Sequence, residues 1–512
     1  MKKIAMVFSI VWLLLQIFIA MPDKITNDWM GWRQSDTQTI ARNFVKSGQN
    51  ILYPQINWGG AGTGYVECEF QLYTFAIAQI LKNTGEAVWP GQALSLLAIL
   101  AASWVIYLLL KHHFENQFAA LFGALAFLTS NGAVHLSSSV MPDSLCILFY
   151  TLGLYAFFKY VSEKRNIWLV LCVAFSTLAG LVKPLALNIG IIQFLVLAAG
   201  HRGLLKSWKI WVSWLIIVTV VGLYMAFSYT LYLNYGNTFG VIGGESKFPS
   251  LQGLLYFMHY PKLAYMTAVW GLGPFGVISV LYLIIQKRFT YLEWVFLVGN
   301  AIVILISMRY TVNRGFGPHY YIFSVVFAAW LTASAVEHFS KKIGKHRLGT
   351  VFPLLSMLAL ALSYSMHLYA KVNPGTFHYH VEVTELGNKL ARLKKQNSLA
   401  IVRSVAAERE RRSWGNRVNN YEDPRVFYLA DISGWPLPAD ARGIARIKEY
   451  VSQGADYFVE LYEGKEDEPL YRWLKRNAIE LYTSDAGAIY EFTRNKRCTS
   501  TLNTESRTKR WN

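Results

Sequence analysis

The chain has 512 residues, of which 54% are hydrophobic and only 16% are charged. A soluble protein carries about a quarter charged residues, so a soluble class is excluded for most of the chain. The apolar residues come in blocks about as long as a bilayer-spanning helix. The net charge of +18 lies largely in the short loops between these blocks, where basic residues set orientation, and no nucleic-acid partner is expected.

The basic loops predict the topology. Segments 2–3, 111–113, 163–165, 201–209, 286–288 and 338–347 are rich in Lys, Arg or His, and we place them all in the cytoplasm. The apolar blocks then predict about eleven spans, within a range of roughly 10 to 13. The expected spans are Ile4–Ala20, Trp89–Leu110, Phe118–Leu136, Leu145–Val161, Ile167–Val182, Leu185–Ala199, Ile210–Leu231, Leu263–Ile285, Trp294–Met308, Tyr320–Val336 and Leu348–Leu368.

Two features of this topology need separate arguments. Phe70–Leu81 is apolar but too short to cross a bilayer core of roughly 30 Å, and loop parity predicts that it lies in the outer interface. Lys183-Pro184 interrupts a long apolar run, which we interpret as two short spans with Lys183 at the outer turn. The opening Met1–Ala20 resembles a secretory signal, and an uncleaved first span is favoured over cleavage after Ala20.

The pattern predicts three regions. Residues 1–370 form a transmembrane module whose first extracytoplasmic loop is 21–88, residues 371–493 form a small soluble α/β domain, and residues 494–512 form a disordered basic tail. In the α/β domain we expect helices at Val381–Lys395 and Ala441–Gln453, and strands at Leu399–Val405, Tyr457–Leu461 and Ala488–Phe492. The four cysteines show no metal-ligand or disulfide spacing.

Charged side chains concentrate in the first loop, where Arg33, Asp36, Glu67 and Glu69 follow the first span. We expect a short helix from Ser35 to Lys46, and the helix dipole alone would explain an Asp at its start. That does not explain the whole group beside the bilayer. The sequence favours a functional role for Asp36 and Glu69. For Arg33 and Glu67, functional and structural roles both stay open.

Further candidates lie where other spans meet the outer side. Asp143, after Pro142, fits helix capping and a site equally. Lys183, inside an apolar run, favours a phosphate contact over snorkelling to the surface. Arg309, Arg314 and His319-Tyr320-Tyr321 share one outer loop and span start. An Arg there suits either an interfacial anchor or bidentate phosphate recognition, and for His319 a hydrogen-bonded structural role is slightly favoured. The Trp and Tyr residues are assigned to interfacial belts, and Gly59–Gly64 to a flexible turn.

These residues resemble those of the membrane-embedded GT-C glycosyltransferases, specifically bacterial relatives of the protein O-mannosyltransferases and of the lipid A aminoarabinose transferase. The first-loop string 31–44 carries most of the resemblance, together with Tyr53-Pro54, Gly59-Gly60 and 69–73. Pro142-Asp143, Lys183-Pro184 and His319-Tyr320-Tyr321 add weaker matches. Two positions depart from the pattern: Thr37 stands where many relatives have Glu, and Gln71 where Pro is common.

The resemblance implies a polytopic α-helical GT-C membrane protein with a small C-terminal α/β extracytoplasmic domain. It also implies an inverting glycosyltransferase that takes a sugar from a polyprenyl-phosphate donor, with Asp36 as the catalytic carboxylate. Glu69 is the candidate second acid because Thr37 replaces the usual Glu. We expect the donor phosphate to meet residues from several loops, namely Arg33, Asp143, Lys183, Arg314, His319 and Tyr320.

The remaining expectations concern partners and alternatives. We expect the acceptor to be a lipid, a glycan or a protein. The enzyme is expected in a bacterial inner membrane, surrounded by membrane lipids. Its N-terminus is then cytoplasmic and its C-terminal domain lies outside. No cofactor is certain, and a divalent metal near Asp36 and Glu69 stays open. A transporter or flippase of a lipid-linked saccharide is the alternative, although it should show internal repeats. A non-catalytic scaffold whose tail binds envelope partners is a third hypothesis.

Overall fold

A computed structural model describes residues 2–21, 25–28, 30–48, 50–114, 116–244, 248–308, 318–343, 355, 357–365, 368–369, 381–404, 423–438, 443–461 and 468–493. The helices of the first part are α1 (Lys2–Leu15), α2 (Gly31–Lys46), α3 (Leu72–Thr84), α4 (Trp89–His113), α5 (Gln117–Leu128), α6 (Asn131–Ser138), α7 (Asp143–Glu163), α8 (Asn166–Val182), α9 (Asn188–Gly200), α10 (Arg202–Leu205), α11 (Trp208–Tyr235), α12 (Leu251–Leu255), α13 (His259–Met266), α14 (Gly273–Ile285), α15 (Tyr291–Ile306) and α16 (Ile322–Ile343).

Apolar helices occupy the predicted membrane region. Within the described ranges, five helices are long and apolar enough to cross a bilayer, or six if one bent pair counts as a single span. Three shorter apolar helices, Asn166–Val182, Pro184–Gly200 and Tyr291–Ile306, accompany them. Their shared core contains Tyr150, Phe157, Phe323 and Trp330. The chain is therefore a polytopic helical membrane protein, while the total number of spans stays a prediction.

One predicted span is bent. The apolar block Phe118–Leu136 is divided into α5 and α6, which meet at an angle of 60°. Ser130 has extended backbone, and its hydroxyl accepts a hydrogen bond from Ala133 N at 3.2 Å, so it caps a new helix. Gly132 lets α6 approach the carbonyl of Trp270, to which an added Cβ would be only 2.5 Å away. The predicted span Phe118–Leu136 is thus a bent pair of helices, because a polar cap interrupts it.

The break predicted at Lys183-Pro184 is present. Helix α8 ends at Val182, Lys183 has extended backbone, and Pro184–Leu187 forms a 3₁₀ turn before α9. Proline lacks the N–H needed to continue α8. The side chain of Lys183 is consequently presented at the junction between two helices.

The first loop is built on two helices. Helix α2 begins at Gly31, four residues earlier than the predicted start at Ser35. Helix α3 covers most of the predicted interfacial segment and packs on α2, with Phe44 and Phe75 edge to face at 5.7 Å. Tyr73 donates a hydrogen bond to Gly91 O of α4 at 2.7 Å, which fixes α3 against the helical bundle. Its position in the membrane interface stays a prediction.

The C-terminal domain contains a mixed sheet. Its elements are α17 (Val381–Leu393), β1 (Leu399–Ser404), α18 (Arg425–Ala430), β2 (Ser433–Pro438), α19 (Gly443–Ser452), β3 (Tyr457–Leu461), α20 (Glu468–Asn477), β4 (Ala478–Ser484) and β5 (Gly487–Phe492). The strand order is β2-β1-β3-β5-β4. The first three strands of that order are parallel, and β5 and β4 complete the sheet antiparallel.

The first loop and the C-terminal domain share one apolar core. Ile40 and Phe44 of α2 and Ile77 of α3 belong to the same buried cluster as Leu390 of α17 and Val426 of α18. Burial of apolar surface stabilises by roughly 25 cal/mol per Å², so the two regions stabilise each other. This shared core fixes where the residues of α2 lie.

Candidate active site

Asp36 is a fully buried carboxyl group on α2. Its Oδ1 accepts a hydrogen bond from Trp58 Nε1 at 2.9 Å, and Oδ2 has no hydrogen-bond partner among the described residues. Burial raises the pKa of Asp36 from 3.8 to about 7, although the Trp58 hydrogen bond and the charge of Arg33 oppose the rise. A carboxyl group with such a pKa exchanges its proton near neutral pH.

Arg33 lies one turn before Asp36 on α2, on the same helix face. It forms an ion pair with Glu69, and the two side chains are only 16% and 13% exposed. Its guanidinium carbon lies 4.5 Å from the ring centroid of Phe239, a cation–π geometry. The structure thus brings Glu69 to Arg33, which neutralises the carboxylate proposed as a second acid.

A second buried ion pair joins Lys183 to Asp143. Lys183 Nζ also donates to the carbonyl of His319 at 3.2 Å and lies 5.5 Å from the ring centroid of Tyr320. Burial, reinforced by the charge of Lys183, holds the pKa of His319 well below its usual value. Four residues predicted from three separate segments therefore form one cluster, and within the described part of the chain its cation is paired with the buried carboxylate of Asp143.

Arg314 and Arg309 lie outside the described residues, so their part in phosphate binding stays a prediction. The Arg33 pair and the Lys183 pair are close enough for the charge of Arg33 to act on His319, where it lowers the pKa further. Arg33 therefore acts both on the buried, weakly acidic Asp36 and on the cluster that contains Lys183.

The sequence did not reveal the polar cluster beside Asp36. Gln34 donates a hydrogen bond to Asp28, and its Oε1 accepts one from Val140 N at 2.8 Å. Ser139 Oγ lies 3.5 Å from Asp28 Oδ2 and 3.4 Å from His135 Nε2. These contacts join the first loop to α6 across a long stretch of sequence, and no local pattern signals them.

Trp58 was also missed. The sequence assigned Trp residues to membrane belts, yet Trp58 is 6% exposed and donates to the candidate catalytic carboxyl group. Only the fold shows this partnership, because residues 36 and 58 belong to different local elements.

Glu67 has a structural role. Its buried carboxylate accepts hydrogen bonds from Thr238 Oγ1, from Val241 N at 3.2 Å and from Ile242 N at 2.8 Å. It therefore ties segment 237–242 to the first loop. That segment carries Phe239, the ring that faces Arg33.

The described residues contain no group of three or more His, Cys, Asp or Glu side chains arranged to hold a metal ion. Of the two carboxylates considered for a metal, Glu69 is engaged by Arg33 and Asp36 by Trp58. A divalent metal stays an untested expectation.

A family model described as dolichyl-phosphate-mannose-protein mannosyltransferase matches residues 72–225. This part of the chain includes α3, α4 and the bent pair, and it extends into α11. The match confirms the predicted relationship to protein O-mannosyltransferases. Together with the polytopic fold, this match makes the chain similar to the membrane-embedded glycosyltransferases of the GT-C type.

Solved structures share this fold. ArnT from Cupriavidus metallidurans bound to undecaprenyl phosphate is 11% identical, with a TM-score of 0.58 over 96% of this chain and 98% of that chain. Its apo form is 12% identical, with a TM-score of 0.59 over 96% and 97%. The apo oligosaccharyltransferase of Archaeoglobus fulgidus is 12% identical, with a TM-score of 0.51 over 97% and 74%. No curated protein matches the chain.

The structural matches confirm the predicted fold class. The similarity to ArnT extends over nearly the whole of both chains, so it includes the small C-terminal α/β part as well as the helical bundle. At these identities the likeness concerns the fold, and it leaves the roles of individual residues to the geometry of the site.

Proposed function

We propose that the chain transfers a sugar, with inversion, from a polyprenyl-phosphate donor to an acceptor at the outer face of a bacterial inner membrane. The N-terminus is then cytoplasmic, and the first loop and C-terminal domain are extracytoplasmic. The observation that carries the proposal is Asp36, a buried carboxyl group with one oxygen bound by Trp58 and the Arg33–Glu69 ion pair beside it.

In the proposed reaction, an acceptor hydroxyl or other nucleophile attacks the anomeric carbon of the sugar. The bond between that carbon and the phosphate oxygen breaks, and its electron pair leaves with the polyprenyl phosphate. Asp36 Oδ2 takes the proton from the nucleophile, while Trp58 holds Oδ1. A base with a pKa of about 7 suits this role at neutral pH, because general bases work best when their pKa lies near the working pH.

The leaving phosphate needs positive charge. Lys183 and Arg33 supply it when the incoming phosphate competes with Asp143 and Glu69 for their cationic groups. Charge-assisted hydrogen bonds to phosphate are among the stronger protein contacts. Arg314, His319 and Tyr320 are proposed as further contacts to the donor.

The comparisons support the choice of donor. The matched family model is described by its use of a dolichyl-phosphate sugar, and the similar ArnT structure contains undecaprenyl phosphate. By extension, a polyprenyl phosphate is the carrier we propose here. The sugar and the acceptor, whether lipid, glycan or protein, have to be identified by experiment.

The first experiment compares Asp36→Asn with the unchanged protein in membranes. We expect sugar transfer from a lipid-linked donor to fall by about 10²- to 10⁴-fold, the usual contribution of a general base. Glu491→Gln, which removes a half-buried carboxylate of the C-terminal domain that pairs with the exposed Lys395, is the control and should keep full activity. Near-normal transfer by Asp36→Asn would refute the proposal, and movement of an uncleaved donor across the membrane would favour a transporter.

The substrates require a separate measurement. Mass spectrometry of envelope lipids, glycans and proteins, with and without the intact chain, should reveal one missing sugar mass. If all three fractions are unchanged while the protein is present in the membrane, the proposed transfer does not occur under those conditions. The in vitro assay of transfer from a lipid-linked donor then decides whether the chain has the activity.

A further inference from the structure

The edge strand of the C-terminal sheet pairs with the first loop. Gly434 N donates to Asn57 O at 2.9 Å, and Gly60 N donates to Gly434 O at 2.7 Å. Both the N–H and the carbonyl of Gly434 are thus hydrogen-bonded to the turn that contains Trp58. The paired residues 57 and 60 flank Trp58, so the pairing fixes where its indole lies.

A close side-chain contact reinforces this pairing. Gly60 has a φ of +84°, and an added Cβ would lie 2.7 Å from Trp435 Nε1. Trp435 is held in turn by stacking on Tyr450, with ring centroids 4.9 Å apart. The turn therefore requires glycine at position 60, where the backbone has a positive φ and the Trp435 ring fills the space that a Cβ would need.

A charged contact holds the other end of the Asp36 helix. Arg42 Nη1 donates to Tyr428 O at 3.0 Å and forms an ion pair with Asp431 at 3.1 Å. Lys46 Nζ lies 2.7 Å from the same carboxylate. The C-terminal domain therefore binds α2 through Arg42 and Lys46, about two turns and more beyond Asp36. Its strand β2 also binds the turn that carries Trp58.

We propose that the C-terminal domain positions the candidate catalytic carboxyl group. Gly434 and Trp435 hold the turn that brings Trp58 to Asp36, and Asp431 holds the helix that carries Asp36. The inference rests on the proposed function for its effect on activity, but the mechanical coupling is measurable without it. Asp431, Gly434 and Trp435 are positioning residues, since they act on Asp36 through Trp58 and α2.

The coupling has a definite electrostatic consequence. The charged groups that act on Asp36 are Arg33 of its own helix and Asp423 of the C-terminal domain, and the charge of Asp36 in turn helps to raise the pKa of the Cys68 thiol. Burial is the largest cause of the raised pKa of Asp36. Loosening the docked turn admits water and lowers that pKa, whereas removing only the Trp58 hydrogen bond raises it.

The experiment uses the full-length protein with Gly60→Ala, Trp435→Phe, Asp431→Asn and Trp58→Phe, and with Glu491→Gln as the control. Hydrogen exchange of peptides covering residues 50–66 should be at least about fivefold faster in Gly60→Ala and Asp431→Asn than in the control. Trp435→Phe removes the indole edge that lies against Gly60, should also speed exchange of the same peptides, and serves where Gly60→Ala fails to fold. Exchange rates in all docking variants equal to those of Glu491→Gln would overturn the coupling.

The second readout is the pH dependence of kcat/KM. The acidic limb should move to lower pH in Gly60→Ala and Asp431→Asn, and to higher pH in Trp58→Phe, with donor KM changed less than kcat. Limbs that all coincide with that of Glu491→Gln would overturn the positioning role. If Asp36→Asn stays active, the proposed function fails, and the exchange rates still decide the coupling.

Discussion

At the scale of single residues, the environment of Asp36 links chemistry to stability. Burial raises the pKa of Asp36 from 3.8 to about 7, so the folded protein binds this proton more tightly than the unfolded chain. The resulting stabilisation is complete below about pH 3.8 and is lost as the pH rises through about 7. Above that pH a charged carboxylate is buried with a single hydrogen bond from Trp58.

Asp36→Asn should therefore change how stability depends on pH. We expect the melting temperature of the variant in detergent to rise relative to that of the unchanged protein as the pH is raised from about 5 to about 8. Asparagine has nearly the same shape and cannot ionise, so it avoids the cost of burying the charge. A difference in melting temperature that stays constant across this pH range would contradict the burial argument.

Lys183 raises a different question, because a phosphate contact and a structural ion pair both explain a buried lysine. Lys183→Met should lower stability by about 3–5 kcal/mol, since it leaves the Asp143 carboxylate buried without its cation. It should also raise the donor KM. The double variant Lys183→Met with Asp143→Asn should recover most of the stability while the donor KM stays high.

The control for the Lys183–Asp143 pair lies at the far end of α7, the helix that begins at Asp143. Lys159 pairs with Glu163 at i,i+4 on α7, and Lys159→Met should leave the donor KM unchanged. If the double variant recovers both stability and donor KM, Lys183 has only a structural role.

At the scale of elements, part of the fold and site could be predicted and part could not. Helix α2, the break at Lys183 and strands β1, β3 and β5 follow from local pattern and from the special chemistry of proline. Strand β2 was missed because it contains Gly434, Pro436 and Pro438, which argue against a strand. An edge strand tolerates them, since one side needs no ladder hydrogen bonds.

The site shows the same division. Asp36 and Lys183 stand out because a charge beside or within apolar sequence is costly. Trp58, Asp28 and Phe239 do not, because their contacts to Asp36, Ser139 and Arg33 are made between elements far apart in the sequence. The sequence predicts which groups carry charge, and the packing of the helices decides which groups meet.

Segment 237–242 is an element whose position depends on one carboxylate. Glu67→Ala should release it, because Thr238 Oγ1, Val241 N and Ile242 N lose their acceptor. Leaving a buried donor unsatisfied costs about 1–3 kcal/mol, and of these three donors the Thr238 hydroxyl belongs to a buried residue. We expect faster hydrogen exchange at 238–242 and a lower kcat, because Phe239 no longer holds the Arg33 guanidinium.

The comparison variant for that segment is Glu86→Ala, which removes the exposed partner of Arg42 elsewhere in the first loop. Its exchange at 238–242 should match that of the unchanged protein. Equal exchange in Glu67→Ala and Glu86→Ala would show that the segment does not depend on Glu67.

At the scale of the whole molecule, the shared core makes the C-terminal domain part of the first loop's folding unit. A chain ending at residue 370 removes the partners of Ile40, Phe44 and Ile77 from that core. A fully buried apolar side chain of this size contributes about 1.5–3 kcal/mol, and Arg42 also loses Tyr428 and Asp431.

We expect the truncated chain to insert into membranes, to be cleaved rapidly by protease between residues 31 and 88, and to have no transfer activity. A chain ending at Thr493, which keeps the whole sheet, should behave as the full-length protein. Protease resistance and full activity of the chain ending at residue 370 would instead make the C-terminal domain an accessory, and α2 would then owe its position to the membrane helices alone.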